Sequence, residues 1–318
     1  MLRLLKKYLS YCFLIACYFS GWRKKGKSGK LNGLMSMSLP PITFSVGGLD
    51  PSSTGSMGEM PPLLTCLDDV TISDEELGSG AFGTVYAGVS LRGSPLAIKV
   101  CRPKEAMKGK PVPDLAREAA IYQRVSNAVA GVPLFRGYVD GKLITRKASG
   151  VPLDRHLFKE SKPLGLNRTK ILIAFLRAYL AGLKRLSIVD RDLKPANLIF
   201  DRETFQFWKV DLGLAGDLSR GPLTSNCGTP GYQAPEVATK VPYDERADLY
   251  SFAATLFEAY TGFRARAHLD KTWSSLIIQR GKEFSDPEEE VRSLSEIVSA
   301  YCLPLPDREG VDSLFIVD

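Results

Sequence analysis

Between two apolar runs, the stretch Ile188 to Phe200 reads IVDRDLKPANLIF and sets a carboxylate (Asp192), an ammonium (Lys194) and a carboxamide (Asn197) within six residues. Pro195 blocks a regular helix, so the pattern predicts a loop held between two buried elements. These groups suit phosphoryl transfer, in which positioning and charge neutralisation supply nearly all the catalysis. Asp192 can orient an attacking hydroxyl and accept its proton, Lys194 can sit against the transferred phosphate, and Asn197 can offer an oxygen to a metal ion. Taken alone, the D-x-K-x-x-N spacing fits a capped turn equally well.

Elements on either side must bring other charges to this loop. From Val70 the sequence alternates as strands do, and Glu76 to Val89 reads ELGSGAFGTVYAGV, with Gly78, Gly80 and Gly83 forming G-x-G-x-x-G ahead of Val85. Dinucleotide-binding folds use that spacing between a strand and a helix. Here Thr84 to Leu91 is β-branched and aromatic, so both flanks read as strands and the glycines as a hairpin tip that can close over phosphate oxygens. The next strand, Pro95 to Cys101, holds Lys99 among apolar residues. A lysine there is costly to bury alone, so Lys99 should face an anion. Asp114 is a plausible N-cap for a helix on which Leu115, Glu118, Tyr122 and Val125 share one face, with Glu118 its only charge. Two short strands, Leu134 to Val139 and Lys142 to Thr145, and a long amphipathic helix, Asn167 to Leu186, precede the loop. After it, Thr204 to Val210 reads as a strand delivering Asp211-Leu212-Gly213, and Asp248 opens an apolar helix within Tyr243 to Tyr260.

In this order the segments resemble the signatures of the protein kinases, over about residues 70 to 316. The resemblance implies an α+β, bilobal fold, with a small, mostly β N-lobe (68–146, including helix C) and a larger, mostly helical C-lobe (147–318). It implies ATP and Mg²⁺ as the nucleotide and ion. Gly78, Gly80 and Gly83 would cover the phosphates. Glu118, like the helix-C glutamate, would pair with Lys99 and hold it on the α- and β-phosphates. Arg146 and Ala148 would offer hinge backbone to the adenine edge, with Thr145 behind it and Val85, Ala97 and Ile199 sandwiching the purine. Asp192 and Lys194 would act in transfer. Asn197 and Asp211 would hold the metal, with Gly213 giving the turn backbone freedom. Cys227 to Glu236 reads CGTPGYQAPE and closely resembles the end of an activation segment, and Arg308 resembles the arginine that pairs with Glu236. The last helix reads as truncated.

The chain departs from the family pattern in two places. Asp190 stands where the family usually has histidine, beside the metal-binding turn and near Asp248, so either one of these carboxyls is partly protonated or Asp190 turns outward. Arg191 precedes Asp192, a placement that marks control by activation-segment phosphorylation, and Ser225, with Thr224 as runner-up, lies where the phosphate usually sits. The usual second basic residue is missing, since Gly216 and Asp217 occupy its place.

The chain of 318 residues, 44% hydrophobic and 24% charged, can bury a full core. Its net charge of +7 comes from the start: up to Leu49 there are eight basic residues and no acidic one, and the remainder carries 34 basic against 35 acidic. A nucleic-acid surface on the folded part is therefore not expected. Six cysteines without C-x-x-C spacing argue against a disulfide framework or zinc site.

Residues 1–67 read as a targeting or anchor segment and a flexible linker. The uncharged run Tyr8 to Trp22 would make roughly 22 Å of helix, against a ~30 Å hydrocarbon core. It fits an anchor that puts the chain on the cytoplasmic face of a membrane, contacting it through residues 1–30, or an organelle transit segment for chloroplast or mitochondrion. A lipoprotein signal at Leu14 to Cys17 ranks lowest, because a secreted kinase would normally lack ATP. The leading expectation is a Ser/Thr protein kinase acting on protein hydroxyls, since Lys194 and the Gly228 to Tyr232 run resemble the Ser/Thr kinases. The alternative is a pseudokinase, a nucleotide-responsive binding module at a membrane, which Asp190 and the short C-terminus suggest.

Overall fold

The computed structural model describes residues 63–80, 83–102, 114–268 and 270–312. The anchor or transit reading, Cys12 and Cys17 lie outside those residues. Among the described residues no helix is long and apolar enough to cross a membrane, and none of Cys66, Cys101, Cys227 and Cys302 is in a disulfide.

The N-terminal region is an antiparallel sheet of β1 (Val70–Ser79), β2 (Gly83–Ser90), β3 (Pro95–Cys101), β4 (Phe135–Val139) and β5 (Lys142–Arg146), in the order β1-β2-β3-β5-β4. Alternation of side chains along β3 divides it into two faces. Leu96 and Ile98 are fully buried with Val139 and Ile144 in a small core, against which Leu64 and Leu67 pack. Ala97 and Lys99 lie on the opposite, partly open face. The register sets Val85 and Leu143 opposite Lys99, and Thr145 opposite Ala97, so these residues share that face. Helix α1 (Leu115–Val125) begins at Asp114, whose side chain accepts from Arg117 N at 2.9 Å. Its predicted face, Leu115, Glu118, Tyr122 and Val125, is buried.

The C-terminal region is helical: α2 (Gly165–Arg185), the short α3 (Pro235–Ala238), α4 (Arg246–Thr261), α5 (Trp273–Phe284) and α6 (Glu288–Tyr301). Every residue of α4 from Ala247 to Thr261 is buried, so this helix is the axis on which α2, α5 and α6 pack. Each fully buried leucine or phenylalanine there contributes about 1.5–3 kcal/mol relative to exposure. Arg308 is sealed against Glu236, its Nη1 donating to Oε1 at 2.6 Å, which ties the chain's last turns to α3.

Short strands frame the loops between these regions. β6 (Val151–Pro152), β8 (Leu198–Phe200) and β9 (Phe207–Lys209) form one sheet, and β7 (Ile188–Val189) pairs with β10 (Gly216–Asp217). The strand expected from Thr204 is shorter than its composition suggests. Asp201 accepts from the N–H groups of Glu203 (2.9 Å) and Thr204 (3.2 Å), a side-chain turn that delays the strand to Phe207. The glycine-rich segment joins β1 to β2 as a hairpin, with Ser79 opposite Thr84, so the strand-to-helix geometry of a dinucleotide fold does not occur here.

Candidate active site

Two groups of side chains meet where the sheet faces the helical region. In the first, Lys99 Nζ donates to Glu118 Oε1 (2.9 Å) and Oε2 (2.8 Å) and to Asp211 Oδ1 (2.9 Å). Burial works against the lysine's charge, but Asp211 and Glu118 outweigh it and hold its pKa above the usual value. Burial also pushes Glu118 up, helped by Asp211, although Lys99 opposes it. Asp211 moves the other way: protein packed on its inner side works against its charge, but Lys99 reverses this and keeps the carboxyl below the usual range. The shared ammonium thus favours Asp211, whose side chain is 42% exposed to the cleft, over Glu118, which is closed in.

The turn carrying Asp211 departs from expectation in one respect. Asp211 itself takes the left-handed conformation, φ +62°, whereas Gly213 does not have a positive φ. Gly213 is required for space: a Cβ there would lie 3.0 Å from Glu118 Oε2 and 3.1 Å from Asp211 Oδ1. Its N–H donates to Asp211 Oδ1 at 3.1 Å.

In the second group, Asp192 Oδ1 accepts from the Thr229 hydroxyl at 2.6 Å, and Oδ2 accepts from Lys194 Nζ and Asn197 Nδ2, each at 2.8 Å. Lys194 also donates to Thr229 Oγ1 at 2.6 Å. Asn197 spends its amide nitrogen on Asp192 Oδ2 and Asp192 O, which leaves its oxygen as the acceptor for other partners. Val210 N–H donates to Asn197 O at 3.0 Å, linking the two groups through the backbone.

Val85 and Ala97 lie on the Lys99 face of the sheet, and Ile199 is half-buried on β8 between the buried Leu198 and Phe200. Arg146 N–H is spent on Leu134 O (2.8 Å) and Lys147 N–H on Pro95 O (3.0 Å), so the hinge begins tied to the sheet and Ala148 follows. Among the described residues, a Cβ at Gly78 or Gly80 would meet nothing within 4 Å, whereas one at Gly83 would lie 2.4 Å from Val100 O. Gly83 is therefore fixed by the strand beside it, and the first two glycines have open space beside them.

Asp190 is fully buried, so its outward alternative is wrong. Asp248 accepts from Asp190 N (2.7 Å) and Arg191 N (2.9 Å), and burial together with the Asp190 charge pushes its pKa up to about 7. The sequence reading missed the cation that makes this tolerable: Lys209 Nζ lies 3.0 Å from Asp190 Oδ2, both side chains sealed. A lysine closing an apolar strand was the available signal, the same one that had picked out Lys99. Thr229 was also missed as a site residue, although the run containing it had been singled out.

Arg191 contacts the activation segment, Nη1 donating to Ser225 Oγ (2.6 Å) and Tyr243 OH (3.2 Å), and Nε to Leu214 O (2.6 Å). At Gly216, where a second basic residue is usual, an added Cβ would lie 2.4 Å from the Leu223 side-chain tip and 3.1 Å from the Arg191 guanidinium.

Residues 72–301 match the protein kinase domain. The chain is 30% identical over 240 residues to a cysteine-rich receptor-like protein kinase 6 from Oryza sativa subsp. japonica, which covers 72% of this chain and 34% of that one. It is 30% identical over 241 residues to cGMP-dependent protein kinase 2 from Homo sapiens (72% and 31%), and 30% over 243 residues to the dual specificity protein kinase shkB from Dictyostelium discoideum (68% and 34%). It spans about a third of the length of these curated relatives. The chain belongs to the protein kinase family.

Proposed function

We propose that this member of the protein kinase family is an active Ser/Thr protein kinase, moving the γ-phosphoryl group of ATP to a protein hydroxyl with Mg²⁺ bound. One observation carries the reading: Lys99 is held by Glu118 and Asp211 at one side of the cleft while Asp192, Lys194, Asn197 and Thr229 form a closed hydrogen-bonded set at the other.

The lone pairs on Asp192 suggest where the acceptor docks. A carboxylate has about four lone-pair sites, and three are taken, two on Oδ2 and one on Oδ1. The site left on Oδ1 would accept the substrate hydroxyl's hydrogen bond and then its proton, as the new O–P bond forms and the bond to the β-phosphate oxygen breaks. Lys194 would offset the charge on both partners. Lys99 would meet the α- and β-phosphates, and Val85, Ala97 and Ile199 would pack on the purine beside the hinge at Arg146 and Ala148. Asp211 and the Asn197 oxygen are hard oxygen donors that suit Mg²⁺, which when bound would neutralise the phosphate oxygens. Thr229, bridging Asp192 and Lys194, favours an acceptor of Ser/Thr size. The pseudokinase reading drew on Asp190, and Lys209 removes much of its force by compensating that residue.

Two finer readings belong with this one: phosphate on Ser225 pairing with Arg191, and membrane contact through residues 1–30. Localising the full-length protein beside one starting at Met57 tests the second. For activity, Asp192→Asn should abolish transfer to a generic protein substrate while leaving nucleotide binding intact. Wild type that transfers no phosphate with Mg²⁺ present would give the binding-module reading the advantage.

A further inference from the structure

The transfer step makes no use of the charges sealed beneath the catalytic loop. Lys209, at the end of β9, is fully buried; its Nζ donates to Val210 O (2.9 Å) and Asp211 O (2.8 Å) and forms an ion pair with Asp190 Oδ2 at 3.0 Å. Asp190 Oδ2 also accepts from Tyr179 OH (2.7 Å), and Oδ1 accepts from Asp192 N (3.2 Å). A continuous path therefore runs from the Asp211 carbonyl through the Lys209 ammonium and the Asp190 carboxylate to the Asp192 amide.

The path starts at one strained backbone position, Asp211, and ends at Asp192, the residue after the other, Arg191. Asp211 and Arg191 both have positive φ, +62° and +66°, a conformation that is unfavourable for an L residue and persists only where its surroundings impose it. The Asp211 carbonyl is taken by Lys209, and its N–H donates to Tyr122 OH at 2.9 Å. The Arg191 N–H donates to Asp248, which also takes the N–H of Asp190. Buried side chains thus fix the left-handed residue of each loop, and Lys209 is the group that joins one loop to the other.

We propose that Lys209 and Asp190 are paired positioning residues, the ammonium clasping the Asp211 turn to the Asp192 loop, so that each is needed largely because the other is present. A buried charge that loses its partner is strongly unfavourable, whereas removing both charges together often costs little. The pair should therefore be strongly coupled. The activity side of this inference rests on the kinase reading, while its structural side does not.

A double-mutant cycle of Lys209→Met, Asp190→Asn and the double variant separates the two sides. For activity, Lys209→Met should lower kcat at least 100-fold with the peptide KM within threefold, and raise the Mg²⁺ concentration for half-maximal rate at least fivefold. The double variant should be no slower than Lys209→Met. For structure, urea unfolding should place the double variant's midpoint above that of Lys209→Met, and if the single variants are too unstable to purify, the double must still be recovered folded. Effects that multiply independently, a Lys209→Met enzyme within threefold of wild-type rate, or a double variant no more stable than Lys209→Met would each overturn the clasp. An inactive wild type that still showed coupled unfolding would sink the kinase reading and leave the clasp standing.

Discussion

Two clusters of the same composition, one lysine and two carboxylates, lie on either side of the Asp211 turn and differ chiefly in their access to water. Lys99, Glu118 and Asp211 open on the cleft through Asp211, which is 42% exposed. Lys209, Asp190 and Asp248 are closed off completely or nearly so. In the open cluster, water or a ligand can replace a lost partner, and the charges can turn toward phosphate or metal. In the sealed cluster every group must be satisfied from within the protein, so its charges can serve only to hold backbone. The same side-chain types thus have access to a ligand in one setting and only to the protein in the other, and the exposure of Asp211 makes the difference.

The largest effects should separate the clusters. Lys209→Met leaves Asp190 buried without its cation and should cost about 3–5 kcal/mol in urea unfolding. Lys99→Met should cost clearly less stability, because Asp211 can be solvated and Glu118, already pushed up, can take a proton. It should nevertheless slow phosphate transfer about 10²–10³-fold, the range for removing one group that stabilises transition-state charge. Equal stability losses would erase the distinction. Next in size, Gly213→Ala presses a methyl against Glu118 and Asp211 and should cost about 1–3 kcal/mol in urea unfolding.

The sealed cluster should also show in the pH dependence. Asp248 is pushed up to about 7 in the fold, against 3.8 in its unperturbed state. Its folded form therefore holds a proton that the unfolded chain has already released, so its contribution to stability is full below about pH 4 and lost as pH rises to about 7. Unfolding titrated at steps across that window should fall more steeply for wild type than for Asp248→Asn, and identical slopes would count against the assignment. The smallest effect belongs to Ser225→Ala. Arg191 keeps Leu214 O and Tyr243 OH, so basal activity should change less than about threefold. Mass analysis showing no phosphate between Ser219 and Thr229 in active protein would remove the proposed phosphate site as well.

Much of the open cluster could be read from sequence because each member breaks a local pattern. Lys99 interrupts an apolar strand, Glu118 is the lone charge on a buried helix face, and Asp211 ends a strand at a glycine turn. Asp190 was legible as a departure, but its partner was not. Lys209 lies 19 residues away on another strand, and no periodicity relates β7 to β9. Composition also makes the strand around Lys209 read too long, since it does not reveal that Asp201 turns the chain back on itself. Thr229 was hidden differently: its role depends on the fold returning the activation segment over Asp192, 37 residues earlier. The role given to Gly213 rested on the usual conformational argument, whereas the structure puts the strain on Asp211 and uses Gly213 for room.

The central claim is that the open cluster and the Asp192 loop converge on one nucleotide and its metal ion. Calorimetric titration of ATP, with and without Mg²⁺, tests it most directly. Wild type and Asp192→Asn should bind ATP at least tenfold more tightly when Mg²⁺ is present, and Asp211→Asn should lose that gain. Absence of ATP binding by wild type, or an unchanged Mg²⁺ gain in Asp211→Asn, would contradict the account.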